Sequence, residues 1–217
     1  MQTMISEPRK DPRSARSGAA LNAAVLALAA SQPPASISVT ELVKLAGVSR
    51  KTFYNHAATP GELLARVLTA ELDEARDAAE AQRPIASDDL ESAVHVRLGA
   101  ILQHVHDRRD VYLPSAGGVI PTELYQVLTD HFGAAVCESI SASHRKAPTV
   151  PGFSDPDHRA VSVEMYSSYA AHAYAGAIQS WLQHPETGEV GFILGLIVTA
   201  LPDWMAGRNQ GRAGSQR

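Results

Sequence analysis

The sequence predicts an all-α protein. Apolar residues recur at helical spacing, Pro and Gly separate these segments, and no stretch alternates apolar and polar residues as a half-buried strand does. The chain has 217 residues, of which 45% are hydrophobic and 19% charged. That is enough to bury a core in one large or two small domains, so the segments are expected to pack as helices.

The first half has strong start and stop signals. Capping boxes beginning at Ser38 and Thr59 open the second and fourth helices, Gly47 ends the second, and Ser49 caps the third. A first helix starts at Pro12, where Pro is favoured as the first helical residue. The predicted helices cover about 12–30, 39–46, 50–56 and 60–82.

Further apolar stripes follow Arg83-Pro84 and predict a helical second half. Segments rich in Pro and Gly at 113–121 and 147–156 are predicted loops, and 207–217 has nothing to bury, which predicts a disordered tail. The last helix is expected to bend at Pro202. These later helices are predicted at about 90–105, 124–140, 156–184 and 190–206.

The charges are unevenly distributed. A net charge of −4 opposes nucleic-acid binding, which needs clustered Lys and Arg. Residues 1–60, however, hold seven basic side chains against three acidic ones, whereas residues 61–217 hold 12 against 20. A basic N-terminal part and an acidic remainder predict two parts with different partners.

The N-terminus resembles a secretion signal only superficially. A basic segment, 9–16, precedes an Ala/Leu run, 19–30, but Asn22 interrupts the run, whose apolar residues recur at helical spacing. The longest apolar stretch, 190–201, is too short to span a membrane. We therefore expect a cytoplasmic protein, and its single cysteine, Cys137, excludes an internal disulfide.

The segment 37–64 carries the most specific pattern. Two short helices joined by a turn at Gly47 form the arrangement that presents a second helix to the DNA major groove. That second helix is almost entirely polar, with Phe53 as its apolar anchor. Side chains that can donate to phosphates or base edges therefore point to DNA binding.

This segment resembles the N-terminal domain of TetR-family (AcrR-like) transcriptional regulators over about residues 12–70. The matching residues are Val39, Leu42, Ala46-Gly47-Val48-Ser49, Thr52-Phe53-Tyr54, His56 and Glu62-Leu63-Leu64. The resemblance implies a one-component repressor, not an enzyme, that binds a palindromic operator as a homodimer and is released by a small molecule. It implies a flexible basic arm at 1–11, a three-helix helix-turn-helix domain at 12–58 and a helical bundle for ligand binding and dimerisation at 59–206.

The resemblance also assigns roles to residues. Arg50 and Lys51 would read base edges, Arg50 through guanine O6 and N7, while Thr52, Tyr54 and His56 would bind phosphates. The implied DNA-binding set is Thr40, Ser49, Arg50, Lys51, Thr52, Tyr54, Asn55 and His56. The alternative is a solvated polar surface helix.

Two positions depart from the family pattern. Ala57 stands where the family usually has a bulky aromatic, and Gly61 stands where it commonly has Lys. The first change removes packing volume and the second a cation near phosphates. They keep open an alternative reading as a helical interaction protein with a weakened DNA-binding head.

The acidic part supplies candidates for the other two roles. Polar and aromatic residues on apolar helices are the ligand-pocket candidates, although each alone also suits a packed core or surface position. They are His95, His104, Tyr112, Tyr125, His131, Tyr166, Tyr169 and Trp181. The dimer-interface candidates are Tyr174, Ile178, Gly191 and Gly195. The alternative is that these residues pack within one chain.

No enzymatic or metal motif is complete. Ser143 to Lys146 matches S-x-x-K, but the K-T-G that accompanies it is absent, and no phosphate-binding Gly loop, G-x-S-x-G or H-E-x-x-H occurs. His104 and His106 are two residues apart, so they do not share a helix face. We expect neither a cofactor nor a bound metal.

Overall fold

The computed structural model describes residues 12–82, 90–114, 118–142, 150–153 and 155–202. Within these ranges the chain forms nine α-helices, two single 3-10 turns and no strand beyond an isolated bridge between Val150 and Phe153. The all-α prediction is confirmed. The predicted arm, 1–11, and tail, 207–217, lie outside the described residues, as do Ser143 to Lys146.

The chain divides into two compact units between Val67 and Leu68, within the fourth helix. The first unit contains α1 (Pro12–Ala29), α2 (Val39–Ala46), α3 (Arg50–Tyr54) and the first residues of α4 (Pro60–Ala81). Its fully buried side chains come from every one of these helices. The largest of them are Leu21, Val25, Leu42, Phe53, Leu63 and Leu64.

The second unit contains the remainder of α4 and five further helices. These are α5 (Leu90–Asp107), α6 (Arg109–Tyr112), α7 (Thr122–Ala142), α8 (Pro156–Gln183) and α9 (Val190–Ala200). α7 packs along α8, and α5 packs along α9. Leu102, Leu124, Leu128, Ile178 and Leu182 are fully buried, so the predicted apolar stripes do form a core.

Differences from the sequence predictions include the ends of two helices and one additional helix. α3 ends at Tyr54 rather than His56, because the amide of His56 bonds to the carbonyl of Phe53 at 2.8 Å and tightens the last turn. α9 ends at Ala200 instead of bending at Pro202, because Leu201 is extended (φ −65°, ψ 134°), as residues before proline usually are. α6 was not predicted.

No helix among the described residues combines the length and the apolar character needed to cross a membrane.

Candidate nucleic-acid interface

The start of α2 is fixed by a complete capping box. The hydroxyl of Ser38 accepts from the amide of Glu41 at 3.2 Å, and Oε2 of Glu41 accepts from the Ser38 amide at 3.2 Å and hydroxyl at 2.7 Å. Hydrogen bonds from Ser38 to the charged carboxylate hold the pKa of Glu41 below its ordinary value. The sequence pattern therefore forms the helix start it predicts.

Gly47 makes the turn between α2 and α3. Its backbone is left-handed (φ 66°, ψ 30°), and the following amide, that of Val48, bonds back to the carbonyl of Val43 at 3.1 Å. Side chains with a β-carbon are strained in this conformation, whereas Gly adopts it freely. The glycine thus ends α2 and redirects the chain into α3.

α3 is capped at one end and anchored on one face. The hydroxyl of Ser49 accepts from the amide of Thr52 at 3.1 Å and lies 2.9 Å from the hydroxyl of Thr52. Phe53 is fully buried and meets Tyr54 edge to face, with ring centroids 5.2 Å apart. The hydroxyls of Ser49 and Thr52 therefore stabilise the helix itself.

The other face of α3 is open to solvent. Arg50, Lys51, Tyr54 and Asn55 are exposed. Tyr54 retains 58% of its accessible surface, which is high for an aromatic side chain beside a fully buried phenylalanine. This exposed face combines two cations, a phenol and an amide, which can donate hydrogen bonds to phosphates and base edges.

Arg50 is tied to α2. Its Nη2 donates to Oγ1 of Thr40 at 2.6 Å, across the turn. Thr40 is in the first turn of α2 and is itself exposed. The two residues that the sequence assigned to different helices of the DNA-binding set are thus in direct contact.

His56 lies at the edge of this surface and is half-buried. Its ring packs against α1, because a β-carbon at Gly18 would lie 3.3 Å from its Cε1. Its carbonyl accepts from Nη1 of Arg66 at 2.7 Å. The glycine in α1 therefore makes room for the histidine ring.

The two departures from the family pattern have different surroundings. Ala57 is buried with 5% exposure, so its methyl group belongs to the core. A β-carbon at Gly61 would meet only Oγ1 of Thr59, at 4.0 Å, so the position has space. The second predicted capping box is displaced by one residue: Thr59 accepts from the amide of Glu62, but Glu62 accepts from the amide of Ala58.

Three of the ligand-pocket candidates are buried polar rings of the second unit. The rings of His104 and Tyr112 meet edge to face at 6.1 Å, and a charge on His131 would oppose protonation of His104. Tyr112 is fully buried, and the side chains of His104 and His131 are 10% and 3% exposed. We call these three residues the polar cluster.

Charged side chains surround the polar cluster. Arg108 donates two hydrogen bonds to Glu71, at 2.6 and 3.0 Å, and Oε2 of Glu71 lies 3.9 Å from Nδ1 of His104. Nδ1 of His131 lies 3.5 Å from Oδ1 of Asp73. Burial lowers the pKa of both histidines despite these carboxylates, and it raises the pKa of Tyr112.

Glu71, Asp73 and Arg108 were not among the residues predicted from the sequence. The two acids, Glu71 and Asp73, flank Leu72, which is fully buried. Their position beside the apolar stripe of α4 is the only feature of the sequence that points to them. Nothing in the sequence pairs Arg108 with an acid 37 positions earlier. Among the described residues, no three His, Cys, Asp or Glu side chains converge as a metal site would require.

The remaining pocket candidates lie elsewhere. Trp181 is buried, stacks on His106 at 5.9 Å and donates to the carbonyl of Thr187. The hydroxyl of Tyr125 donates to the carbonyl of His172 at 3.4 Å. His95 and Tyr166 are half-buried. Tyr169 is 72% exposed, so it belongs to the surface rather than to an interior site.

The dimer-interface candidates also separate into two groups. Ile178 is fully buried, and the ring of Tyr174 meets Phe132 edge to face at 5.2 Å, so both pack inside the unit. Burial raises the pKa of Tyr174 to about 12. Gly191 and Gly195 are exposed.

Large apolar side chains are nevertheless exposed on each of the last two helices. They recur four apart on α8 and on α9, which places each set on one side of its helix. We call the two sets together the α8/α9 surface, and they consist of Val161, Met165, Tyr169, Phe192 and Leu196, each 47–72% exposed.

Comparison with known proteins gives matches in structure only. No protein-family model and no curated protein matches the chain significantly. A solved structure assigned to the TetR family of transcription regulators, from Shewanella sp. PV-4, aligns with a TM-score of 0.55 and 17% identity, covering 84% of this chain and 94% of that one. The chain has the TetR-type fold.

Two further structures share this TetR-type fold. The fatty acid degradation regulator FadR from Bacillus halodurans aligns with a TM-score of 0.58 and 13% identity, over 89% of this chain and 98% of that one. The dihydroxyacetone kinase operon activator DhaS aligns with a TM-score of 0.52 and 16% identity, over 84% and 94%. At these identities the likeness establishes the arrangement of helices, so function must be argued from the residues.

Proposed function

We propose that this protein is a sequence-specific DNA-binding transcription regulator. The observation that carries the proposal is the exposed face of α3. Phe53 anchors one side of this helix in the core, whereas four polar side chains around it are exposed to solvent: Arg50, Lys51, Tyr54 and Asn55. The turn that Gly47 makes lies directly before the helix. A capped helix whose exposed face carries side chains that can donate hydrogen bonds suits insertion into the major groove. The three TetR-type structures, all of regulators, support the same assignment.

The contacts divide by the position of each side chain. Lys51 and Arg50, at the N-terminal end of α3, are placed to reach base edges, as recognition helices read DNA near their N-termini. Tyr54 and Asn55 are placed for phosphates and fix the register. Ser49 and Thr52 act mainly through the helix cap that their hydroxyls form.

Selection of bound duplexes from a random library by the full chain tests this proposal. We expect one enriched motif with two inverted halves, and we expect Arg50→Ala to relax the base preference at one position of each half. Lys44→Ala, which removes an exposed cation on α2, is the matched control and should leave the motif unchanged. Recovery of unrelated sequences by the wild-type chain would overturn the proposal and favour the interaction-protein alternative.

We further propose that the protein acts as a homodimer through the α8/α9 surface. Five large apolar side chains there are exposed, and an apolar patch of this kind marks an interaction site. Recognition of a palindrome by an isologous dimer requires the two copies of α3 to be about 34 Å apart, the separation of successive major grooves. Each half of the palindrome would then bind the first unit of one protomer.

Sedimentation equilibrium of paired variants tests the dimer. Met165→Glu puts a charge among the apolar side chains of the α8/α9 surface and should give a monomer. Glu164→Gln changes the adjacent exposed residue and should remain a dimer. A wild-type chain that is monomeric at micromolar concentration would contradict this part of the proposal.

Repression relieved by a small molecule completes the proposal. A ligand that binds the DNA-incompetent state more tightly would shift the population away from the operator. In a reporter carrying the selected motif upstream, we expect expression to rise when the gene for this protein is deleted. A fall in expression would identify an activator instead.

A further inference from the structure

The polar cluster contains three buried atoms that lack a hydrogen-bond partner within the described part of the chain. They are Nε2 of His104, Nε2 of His131 and the hydroxyl of Tyr112. Buried polar groups are nearly always paired, because leaving one unpaired weakens folding. The rings of His104 and Tyr112 are in contact, and the unpaired atoms on these two rings and on His131 therefore indicate a place where something outside this chain supplies the partners.

The protonation states of the three atoms follow from their surroundings. Each histidine turns Nδ1 toward a carboxylate, Glu71 for His104 and Asp73 for His131, which favours the tautomer with its proton on Nδ1. Because burial keeps both rings uncharged, each Nε2 then carries a lone pair and accepts hydrogen bonds. Tyr112 keeps its proton, so its hydroxyl can donate as well as accept.

The charges beside the cluster are already compensated. Arg108 neutralises Glu71 through two hydrogen bonds, and Arg76 lies 3.4 Å from Asp73. An anion entering here would meet two lone pairs and two carboxylates, while a cation would compete with Arg108 and Arg76. An uncharged occupant is thus the favourable one.

We propose that the polar cluster binds an uncharged small molecule that presents hydroxyl or N–H donors on an apolar body. Its donors would bond to Nε2 of His104 and of His131, and its oxygen would accept from the hydroxyl of Tyr112. The second unit buries many apolar side chains, among them Leu102 and Leu128, and an apolar body suits such a core. That this molecule is the one that releases DNA rests on the proposed function, whereas the binding itself does not.

Binding of three probes to the full chain without DNA tests the proposal. Phenol and toluene differ only by a hydroxyl in place of a methyl group, and benzoate adds a negative charge. We expect phenol to bind at least about tenfold more tightly than toluene, since one added hydrogen bond is worth that factor, and benzoate to bind more weakly than phenol. Titration calorimetry or ligand-observed NMR measures all three.

Two tyrosine variants locate the site. Tyr112→Phe should reduce phenol affinity by about tenfold and leave toluene affinity unchanged. Tyr125→Phe makes the same chemical change at a hydroxyl that already bonds to His172, and it should alter neither. Tyr112→Phe loses no partner within the described chain, so it should fold as well as the wild type, which its thermal midpoint will show.

Equal affinity for phenol and toluene, or no binding of either, would overturn the proposal and leave water as the only partner of these atoms. An undiminished phenol affinity in Tyr112→Phe would do the same. None of these measurements involves DNA, so their outcome is independent of the DNA-selection experiment that tests the proposed function. If phenol binds as expected and no DNA motif is selected, the site stands and only its regulatory role is lost.

Discussion

At the level of single residues, the hydrogen bond between Arg50 and Thr40 is the most specific feature of the proposed DNA-binding surface. Arg50 is exposed, and an exposed arginine ordinarily samples many rotamers, which costs entropy when it binds a base. The 2.6 Å bond from Nη2 to Thr40 holds its guanidinium over the turn. Under the proposed function, Thr40 would therefore position Arg50 for base recognition.

Thr40→Val should therefore weaken base discrimination. The substitution keeps the shape of the side chain and removes the hydroxyl that Arg50 contacts. We expect preference for the selected base at the Arg50 position to fall by about three- to tenfold, the equivalent of about 0.5–1.5 kcal/mol, in competition binding with single-base variants. Thr199→Val, on the exposed part of α9, is the control. Unchanged discrimination would show that the bond is dispensable.

The two buried histidines should make stability depend on pH. Below pH 6.5, their ordinary pKa, the unfolded chain takes up a proton at each, whereas in the folded chain burial lowers both pKa values. The unfolded state thus binds more protons, so stability is full above that pH and falls on acidification, by at most about 1.4 kcal/mol per pH unit for each histidine. The effect ceases below the folded-state pKa values.

Urea unfolding between pH 7.5 and 5.5 measures this loss. The slope should be smaller in His131→Gln, which removes one of the two groups, and unaltered in His172→Gln, which changes an exposed histidine. A free energy of unfolding that stays constant over this range in the wild-type chain would contradict the account.

At the level of the elements, replacing glycine by alanine should have opposite effects on stability at two positions. Gly47 is left-handed, so Gly47→Ala should destabilise the first unit by about 1–2 kcal/mol. Gly61 lies in the first turn of α4 with space around it, so Gly61→Ala should stabilise it by up to about 1 kcal/mol. Thermal unfolding of the two variants compares them directly, and equal effects would refute the assigned roles.

The sequence predicted the elements whose signals are local. Caps and glycines lie within a few residues of the boundaries they set, so α2, the start of α3 and the ends of α8 appeared as expected. The tightened end of α3 and the short α6 lack such signals. α6 has four residues, too few for a periodic stripe, and its Tyr112 is fully buried through tertiary packing.

The sites were predictable to different degrees. The exposed face of α3 follows from helical spacing about Phe53, so its members could be named in advance. The polar cluster depends on pairs such as Glu71 and Arg108, which are distant in sequence and meet only when helices pack. For the same reason the sequence could not tell that Ile178 faces inward and Tyr169 outward.

At the level of the whole molecule, the distribution of charge is more informative than its sum. The net charge of −4 combines a basic N-terminal part with an acidic remainder, and the two compact units divide close to this change, between Val67 and Leu68. A protein with this arrangement can bind DNA with one unit despite its total charge, because screening in physiological salt limits the reach of the acidic part to about 8 Å.

The salt dependence of binding to the selected duplex tests the central claim most directly. If each first unit of a dimer neutralises about two to four phosphates through exposed side chains such as Arg13, Arg16 and Lys44, the logarithm of the association constant should fall linearly with that of salt concentration, with a slope of about −4 to −7. Lys44→Ala, which is expected to leave the selected motif unchanged, should make this slope less steep by about one to two units. A slope near zero would contradict DNA recognition by this unit.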